Sequence, residues 1–379
     1  MELKFIEDEI KRPFIFKGSK PEDVEPDMNR LTLSDAEHIA ELFQTPLTGS
    51  YNWDYEVSNQ KLWRLYELGK RLNWDAQVDI DWETPKLSKD EIPVDDAMFM
   101  SPFMGYEPFE KLSEKEKMRL RWHQFSSAIS NFVHGEQGAL LVASQLVTCA
   151  PTEESKLYAA SQTFDEARHV EVYRKYLEDR VGFMYPIDKH LKALLDKVLT
   201  DPRWDIKFVG MQLVIESLAL AAFDLLCQFS HDPVLKQVTE YVMRDEGRHV
   251  GFGVNFLEEY YKSGLLSDQE MDDRAMFTYE AAYVMRERLL VSQAGVHCFG
   301  WPEEELKARM NTAEFMSVFR DMLFTRLMPN VKKIGLLRDN VKPLYDKLGV
   351  LNLQDLPDST QFDWVALSKP FARSQREVA

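Results

Sequence analysis

Apolar residues recur at helical spacing along most of the chain, and sustained period-two alternation is almost absent, so the pattern predicts a nearly all-α protein. Prolines at 13, 21, 26, 46, 85, 93, 102 and 108 break any long element in the first 112 residues, where short helices are predicted near 34–45 and 56–73. The character changes at Ser113-Glu114-Lys115-Glu116, a capping-box sequence. From there to Cys149 no proline occurs, and Phe125, Ile129, Phe132, Ala139, Ala143 and Leu146 follow helical spacing. Ala150-Pro151-Thr152 stops this helix, and a second runs to about Asp179. Asp201-Pro202 offers an N-cap followed by proline at the first helical position. It predicts a third helix to about Phe229, striped by Val209, Leu213, Glu216, Leu220, Phe223 and Cys227. Asp232-Pro233 repeats the start signal for a fourth helix to about Lys262. Ser267 to Glu270 is another capping box, with helix to about 294, and a last helix is expected over roughly 312–347. Three segments follow: a partly helical extension over 1–112, a four-helix core over 113–262, and additional helices with a tail over 263–379, packed on the core.

Two pentapeptides interrupt the apolar pattern, Asp165-Glu166-Ala167-Arg168-His169 and Asp245-Glu246-Gly247-Arg248-His249. Each contains Glu-x-x-His, and three residues is close to one helical turn, so carboxylate and imidazole share a face. On a buried face both are costly unless something compensates them, and a metal ion does. One copy alone reads as an ordinary helix pair. The second copy lies 80 residues on, and each is preceded by 30 residues by a lone glutamate in an apolar helix, Glu136 and Glu216. The midpoint of 136 and 166 is Pro151, and that of 216 and 246 lies beside Asp232-Pro233, so both midpoints are turns. Each hairpin therefore holds its glutamate level with its Glu-x-x-His, roughly 22 Å from the turn. Two such hairpins place four carboxylates and two imidazoles in one layer.

Composition narrows the setting. With a net charge of -17, the chain is not expected to bind nucleic acid. No uninterrupted apolar stretch approaches the length of a membrane span, and the acidic start MELKFIEDEI does not read as a signal peptide. Cys149, Cys227 and Cys298 lie far apart, without a metal knuckle or disulfide framework, and fit a reduced cytoplasmic compartment as small buried apolar groups. The other histidines show no ligand spacing.

The six residues and their spacing match the arrangement of di-metal carboxylate bundles. Over 113–262 the sequence resembles the ferritin-like superfamily of di-iron carboxylate oxidases and oxygenases, which includes the ribonucleotide reductase small subunit, ligand-binding oxidases and bacterial monooxygenases. The resemblance implies a ferritin-like four-helix bundle with additional helices. It implies that Glu136, Glu166 and His169 bind one metal and Glu216, Glu246 and His249 the other, with one or two glutamates bridging. Iron is expected, manganese–iron being the alternative, since oxygen and nitrogen donors suit both. Asp165, Arg168, Asp245 and Arg248 match residues that orient the ligands from outside. Tyr173 matches the position of the radical-bearing tyrosine of the reductase subunit, and a redox or hydrogen-bonding role is expected of it. Phe132, Leu213, Leu220 and Phe223 are candidate walls of a substrate cavity, against a default of plain core packing.

The expected activity is oxidation of a small, partly apolar substrate by dioxygen, through hydroxylation, desaturation, N-oxygenation or cleavage. Electrons would come from a ferredoxin or a reductase, and a homodimer is expected. The tail FDWVALSKPFARSQREVA contains no tyrosine for radical transfer, which disfavours a reductase subunit. The arylamine N-oxygenase branch carries an extra histidine ligand one turn before the fourth-helix glutamate. Val242 stands there, which counts against that branch. Iron handling and a metal-stabilised scaffold are the other classes.

Overall fold

The computed structural model describes residues 43–361, except 97–99 and 313, together with two short strands nearer the N-terminus. In chain order the helices are α1 (Gln60–Arg71), α2 (Glu107–Glu110), α3 (Glu114–Cys149), α4 (Glu153–Tyr176) and α5 (Lys189–Thr200). They continue as α6 (Trp204–Phe229), α7 (Pro233–Lys262), α8 (Asp268–Arg288), α9 (Gln293–Phe299), α10 (Glu303–Thr312), α11 (Glu314–Lys333) and α12 (Lys342–Lys347). Among the described residues the only sheet joins three two-residue strands, β1 (Phe14–Ile15), β2 (Leu31–Thr32) and β3 (Phe183–Met184), with β1 in the middle.

α3 and α4 form one antiparallel hairpin and α6 and α7 the other, and together they make the bundle. Ser113 caps α3 in the expected box with Glu116. Asp232 caps α7 with Pro233 at its first position. α1 lies across α4 and α7, α8 packs on α5 and α6, and α11 packs on α6. The buried apolar residues fall into two clusters. One contains Leu146, Tyr158, Leu213 and Val250, the other Phe125, Tyr176, Phe223 and Val238. The polar layer of 136, 166, 169, 216, 246 and 249 falls between them along all four helices.

Several expectations need correction. Asp201 does not open the third helix; it ends α5, a helix that the sequence pattern did not predict and that Asp188 caps. Asp201 accepts instead from the backbone and guanidinium of Arg203, and the Lys207 amine donates to the carbonyls of Val198, Leu199 and Asp201 at the end of α5. The helix expected over 312–347 is split into α11 and α12, because Gly335 adopts a left-handed conformation at φ 84°. Residues 43–45 are not helical, and the remainder of the 34–45 prediction lies outside the described residues, as does the tail after 361. α6 is long and apolar enough to cross a membrane by composition, but 83% of its most apolar window is buried inside the fold.

α6 is also irregular. Residues Val209–Ile215 form a π-helical segment immediately before Glu216. A π segment holds an extra residue per turn and recurs at functional sites. Gly253 of α7 meets this segment closely: a Cβ there would lie 2.6 Å from Gln212 Cβ. Gly253→Ala should therefore lower stability by about 1–3 kcal/mol through overpacking. Its denaturant midpoint reads this, and an unchanged midpoint would contradict the close approach.

Candidate metal centre

All six candidate ligands are buried, none more than 6% exposed. His169 Nδ1 lies 3.2 Å from Glu136 Oε2, 3.3 Å from Glu166 Oε2 and 3.2 Å from Glu246 Oε1. His249 Nδ1 lies 3.2 Å from Glu166 Oε1 and 3.5 Å from Glu246 Oε1. Glu166 and Glu246 thus each face both imidazoles. Two sets of convergent donor atoms result: Glu136, Glu166, His169 and Glu246, and then Glu166, Glu216 and His249. The grouping differs from the expected one in that Glu246 sits with the first set, while Glu166 is shared.

The electrostatics point to a missing positive charge. Burial, and then the neighbouring Glu246, hold Glu136 and Glu216 well above the ordinary carboxyl pKa. Burial opposes the charged imidazoles, but Glu136 around His169 and Glu166 around His249 raise both well above the usual value. Burial likewise opposes ionisation of Glu166, but the two imidazoles hold it far below the ordinary range. Four carboxylates face two imidazolium groups at most. Glu216 Oε2, both oxygens of Glu246 and His249 Nδ1 have no hydrogen-bond partner among the described residues. Unsatisfied donors and acceptors of this kind are rare in an interior. Two divalent cations would supply four positive charges, take up these atoms and replace the protons on Nδ1. The donor set fits such ions, with nitrogen and oxygen only and no thiolate.

Outside this layer the four remaining motif residues form a crossed network. His169 Nε2 donates to Asp245 Oδ2 at 3.1 Å, and His249 Nε2 donates to Asp165 Oδ2 at 3.3 Å. Each imidazole is therefore held by the aspartate of the other pentapeptide. Arg168 donates to Asp165 at 2.5 Å and to Asp245 at 2.8 Å. Arg248 pairs with Asp245 and, at 3.3 Å, with Asp165. Two cations and two anions close on themselves. Burial opposes the charge on Asp245, but Arg248 and the His169 and Arg168 groups hold its carboxyl well below the ordinary range.

Two parts of the site are absent from the sequence reading. Trp74, in the chain after α1, donates its Nε1–H to Asp245 Oδ2 at 2.7 Å and lies under the Arg168 guanidinium at 4.7 Å. Nothing local marks it. Gln162 donates to Glu166 Oε1 at 2.9 Å and Glu216 Oε1 at 2.8 Å, and Gln212 donates in turn to Gln162 at 3.2 Å. A signal existed here: each glutamine precedes its glutamate by four residues on the same helix.

A cavity of about 230 Å³ reaches Glu136, Glu216 and Glu246. Phe132 and Phe223 line it. Leu213 and Leu220 do not; they are packed in the apolar core, and Met211, Ile215, Ala219 and Ala222 take the wall. For Leu213 the π segment is the reason, since its extra residue rotates what precedes Glu216 away from the α-helical stripe; Leu220, in the regular turn after Glu216, packs in the core beside the wall residues Ala219 and Ala222. Tyr173 is fully buried against the paired rings of Phe132 and Phe223, at centroid distances of 5.7 and 5.9 Å. Burial, then Glu136, raises its pKa well above the ordinary value, with Thr239 near the hydroxyl. It is not part of the cavity wall. His134 turns away from the centre, its Nε2 2.9 Å from the Tyr185 carbonyl. Of the cysteines only Cys149 is fully buried, and all three are free thiols.

The chain matches a family model described as p-aminobenzoate N-oxygenase AurF over residues 56–335. A search of curated proteins gave no match. Among solved structures, an R2-like ligand-binding oxidase mutant with an anaerobically reconstituted Mn/Fe cofactor is 17% identical, with 74% of this chain and 94% of that chain covered and a TM-score of 0.45. Another mutant of that oxidase, with a non-activated Mn/Mn cofactor, is 16% identical over the same shares, with a TM-score of 0.44. The family match starts well before 113 and ends well after 262, so the likeness is not confined to the ligand-bearing core. It also overturns the inference drawn from Val242. That residue is fully buried among apolar neighbours in α7, and its presence does not remove the chain from the branch. The chain belongs to the AurF p-aminobenzoate N-oxygenase family and is a non-haem di-iron oxidoreductase of the ferritin-like superfamily.

Proposed function

We propose that Glu136, Glu166, His169, Glu216, Glu246 and His249 hold two iron ions, with manganese–iron as the other admissible pair. On this reading the protein oxygenates the nitrogen of a small aromatic amine. One observation carries the proposal: the largely apolar cavity opens directly onto three of the candidate ligands, Glu136, Glu216 and Glu246. Bound iron would supply the binding position for dioxygen and the means to reduce it. The chain's own residues do the rest. Phe132 and Phe223 exclude water beside the ligands and offer flat apolar faces to a ring. Asp245 and Asp165 hold the imidazoles by their Nε2–H groups, which leaves Nδ1 for the metal. With valine at 242, these six side chains are the ligands on offer. Conversion of an amine to a hydroxylamine consumes one dioxygen, two electrons and two protons and releases one water, so a reductase or ferredoxin must deliver the electrons.

The test is aerobic turnover of iron-loaded protein with reductant and an arylamine. Continued oxygen uptake with a product one oxygen atom heavier supports the proposal. A single stoichiometric uptake without organic product would assign the centre to iron handling, and no uptake would leave a scaffold. Elemental analysis distinguishes iron from manganese–iron. Asp245→Asn keeps the size of the side chain but removes the carboxylate that orients His169 and pairs with Arg168 and Arg248. It is expected to weaken metal binding by about 10- to 100-fold, read by chelator competition. An unaltered affinity would show that the crossed network does not position the ligands.

A further inference from the structure

The 80-residue repeat preserves the ligands and breaks at the residues that support them. It carries Glu136 to Glu216, Glu166 to Glu246 and His169 to His249, and it carries Asp165 and Arg168 to Asp245 and Arg248. Four residues before each glutamate it fails. Gln162, before Glu166, corresponds to Val242, before Glu246, and Phe132, before Glu136, corresponds to Gln212, before Glu216. Tyr173 likewise corresponds to Gly253. Both glutamines are fully buried. A neutral amide in an interior is costly unless its groups are hydrogen-bonded, so two of them beside the ligands need a reason.

The differences fit together. In the first hairpin the Phe132 and Tyr173 rings pack with their centroids 5.7 Å apart. In the second, Gly253 has no side chain and Gln212 takes the room, so that a Cβ on Gly253 would lie 2.6 Å from Gln212 Cβ. Gln212 Nε2 then donates to Gln162 Oε1 at 3.2 Å. That contact fixes the orientation of Gln162, whose Nε2 donates one hydrogen to Glu166 Oε1 at 2.9 Å and the other to Glu216 Oε1 at 2.8 Å. The reverse orientation would set a carbonyl oxygen against both carboxylates. Val242, apolar and fully buried, offers Glu246 nothing, and both oxygens of that carboxylate have no hydrogen-bond partner among the described residues.

Both hydrogen bonds from Gln162 fall on the same donor set. Glu166 Oε1 is the oxygen that faces His249, at 3.2 Å, whereas its Oε2 faces His169. Glu216 belongs only with Glu166 and His249, and its Oε2 has no hydrogen-bond partner among the described residues. We propose that Gln162 is a positioning residue for one of the two metal positions, that of Glu166, Glu216 and His249, and that the other position has no counterpart to it. The assignment rests on the reading that the six candidate ligands hold two ions. The set braced by Gln162 has three donor residues and the other has four. An amide that holds two carboxylates in place before an ion arrives removes the cost of gathering them. The position with fewer donors is therefore the one with the brace. The two ions are bound by unequal means, one by ligand number and the other by preorganised ligands.

The experiment titrates the metal-free full chain with ferrous iron under argon against a competing chelator, and with manganese(II) followed by electron paramagnetic resonance after free metal is removed. Wild type is expected to take two ions. Gln162→Leu removes both donors at similar volume. It is expected to bind one ion as wild type does and the other about 10- to 100-fold more weakly. At a manganese concentration that gives a coupled pair in wild type, this variant should show the hyperfine pattern of an isolated bound ion. Gln162→Asn keeps the amide but is one methylene short of spanning both carboxylates; it should show the same selective loss, and it carries the test if Gln162→Leu does not fold. Combined with Glu216→Ala, either substitution should remove no further metal, because both changes act on one position. Equal weakening of both ions, further metal loss in the double variant, or failure of both Gln162 variants to fold would assign Gln162 to the fold and overturn the proposal. A wild type that keeps no ion defeats the reading of the centre itself, whereas two ions held as tightly in the variants as in wild type defeat only the role of Gln162.

Discussion

Alanine in place of Glu166 is expected to empty both metal positions. Glu166 is the residue shared by the two convergent donor sets, with Oε1 3.2 Å from His249 Nδ1 and Oε2 3.3 Å from His169 Nδ1. Its truncation removes one oxygen from each set and strands the Gln162 amide that donates to it. Glu216 belongs to one set only. Metal analysis should therefore find close to none of the ions left in Glu166→Ala and about half in Glu216→Ala. Oxygen uptake with arylamine in Glu166→Ala should fall by more than about a hundredfold, beyond the range for residues that only orient ligands. A Glu166→Ala protein with its full complement of iron and ordinary turnover would sink the ligand assignment.

The second large effect joins acidity to metal. In the metal-free chain Glu136, Glu216, His169 and His249 all bind their protons more tightly than in the unfolded state. For a group of this kind the stabilisation is complete below its unfolded pKa and is lost as pH rises through the raised folded value. The unfolded values are 4.5 for the glutamates and 6.5 for the histidines, so the loss runs upward from pH 4.5. Glu166 and Asp245 have the opposite sign, and their contribution is lost only as pH falls below the ordinary carboxylate range. The metal-free protein should thus melt at a lower temperature at pH 8 than at pH 5.5. Metal reverses the trend, because it takes the places of those protons and is itself displaced by acid. At a metal concentration about a thousandfold above Kd, each ion adds about 4 kcal/mol, and the benefit should be larger at pH 8. Melting curves with and without ferrous iron at the two pH values, taken anaerobically, read this directly. A metal-free chain that gains stability toward pH 8 would contradict the arrangement of charges.

Much of the centre was legible because it depends on regularities that a helix cannot hide. The 80-residue repeat, the 30-residue offset and the prolines at one midpoint and beside the other fix two hairpins and the height of six side chains. The bundle and the order of its helices follow. The cavity was less legible. Before Glu216 its α6 wall depends on a π segment that carries no residue signature, so a stripe drawn at 3.6 residues per turn put Leu213 where Met211 and Ile215 stand; after Glu216 the stripe picked Leu220 where Ala219 and Ala222 line the cavity. Trp74 reaches Asp245 across 171 residues of sequence, and no local pattern predicts such a contact. Gln162 was readable, by the four-residue rule applied to Glu166, since a buried glutamine one turn before a buried carboxylate is placed to hold it; Gln212 has the same spacing from Glu216 but donates to Gln162 instead.

The exchange of aspartates between the two pentapeptides has a consequence for how the protein can be divided. Neither hairpin can aim its own imidazole. Cut the chain between β3 and α5, and the first piece keeps His169 but loses Asp245, while the second keeps His249 but loses Asp165. Each fragment would keep its own arginine–aspartate pair, Arg168 with Asp165 or Arg248 with Asp245, but lose the pairs that cross between the hairpins. The internal repeat therefore does not make two self-sufficient halves, and a centre rebuilt from fragments can form only when both are present together.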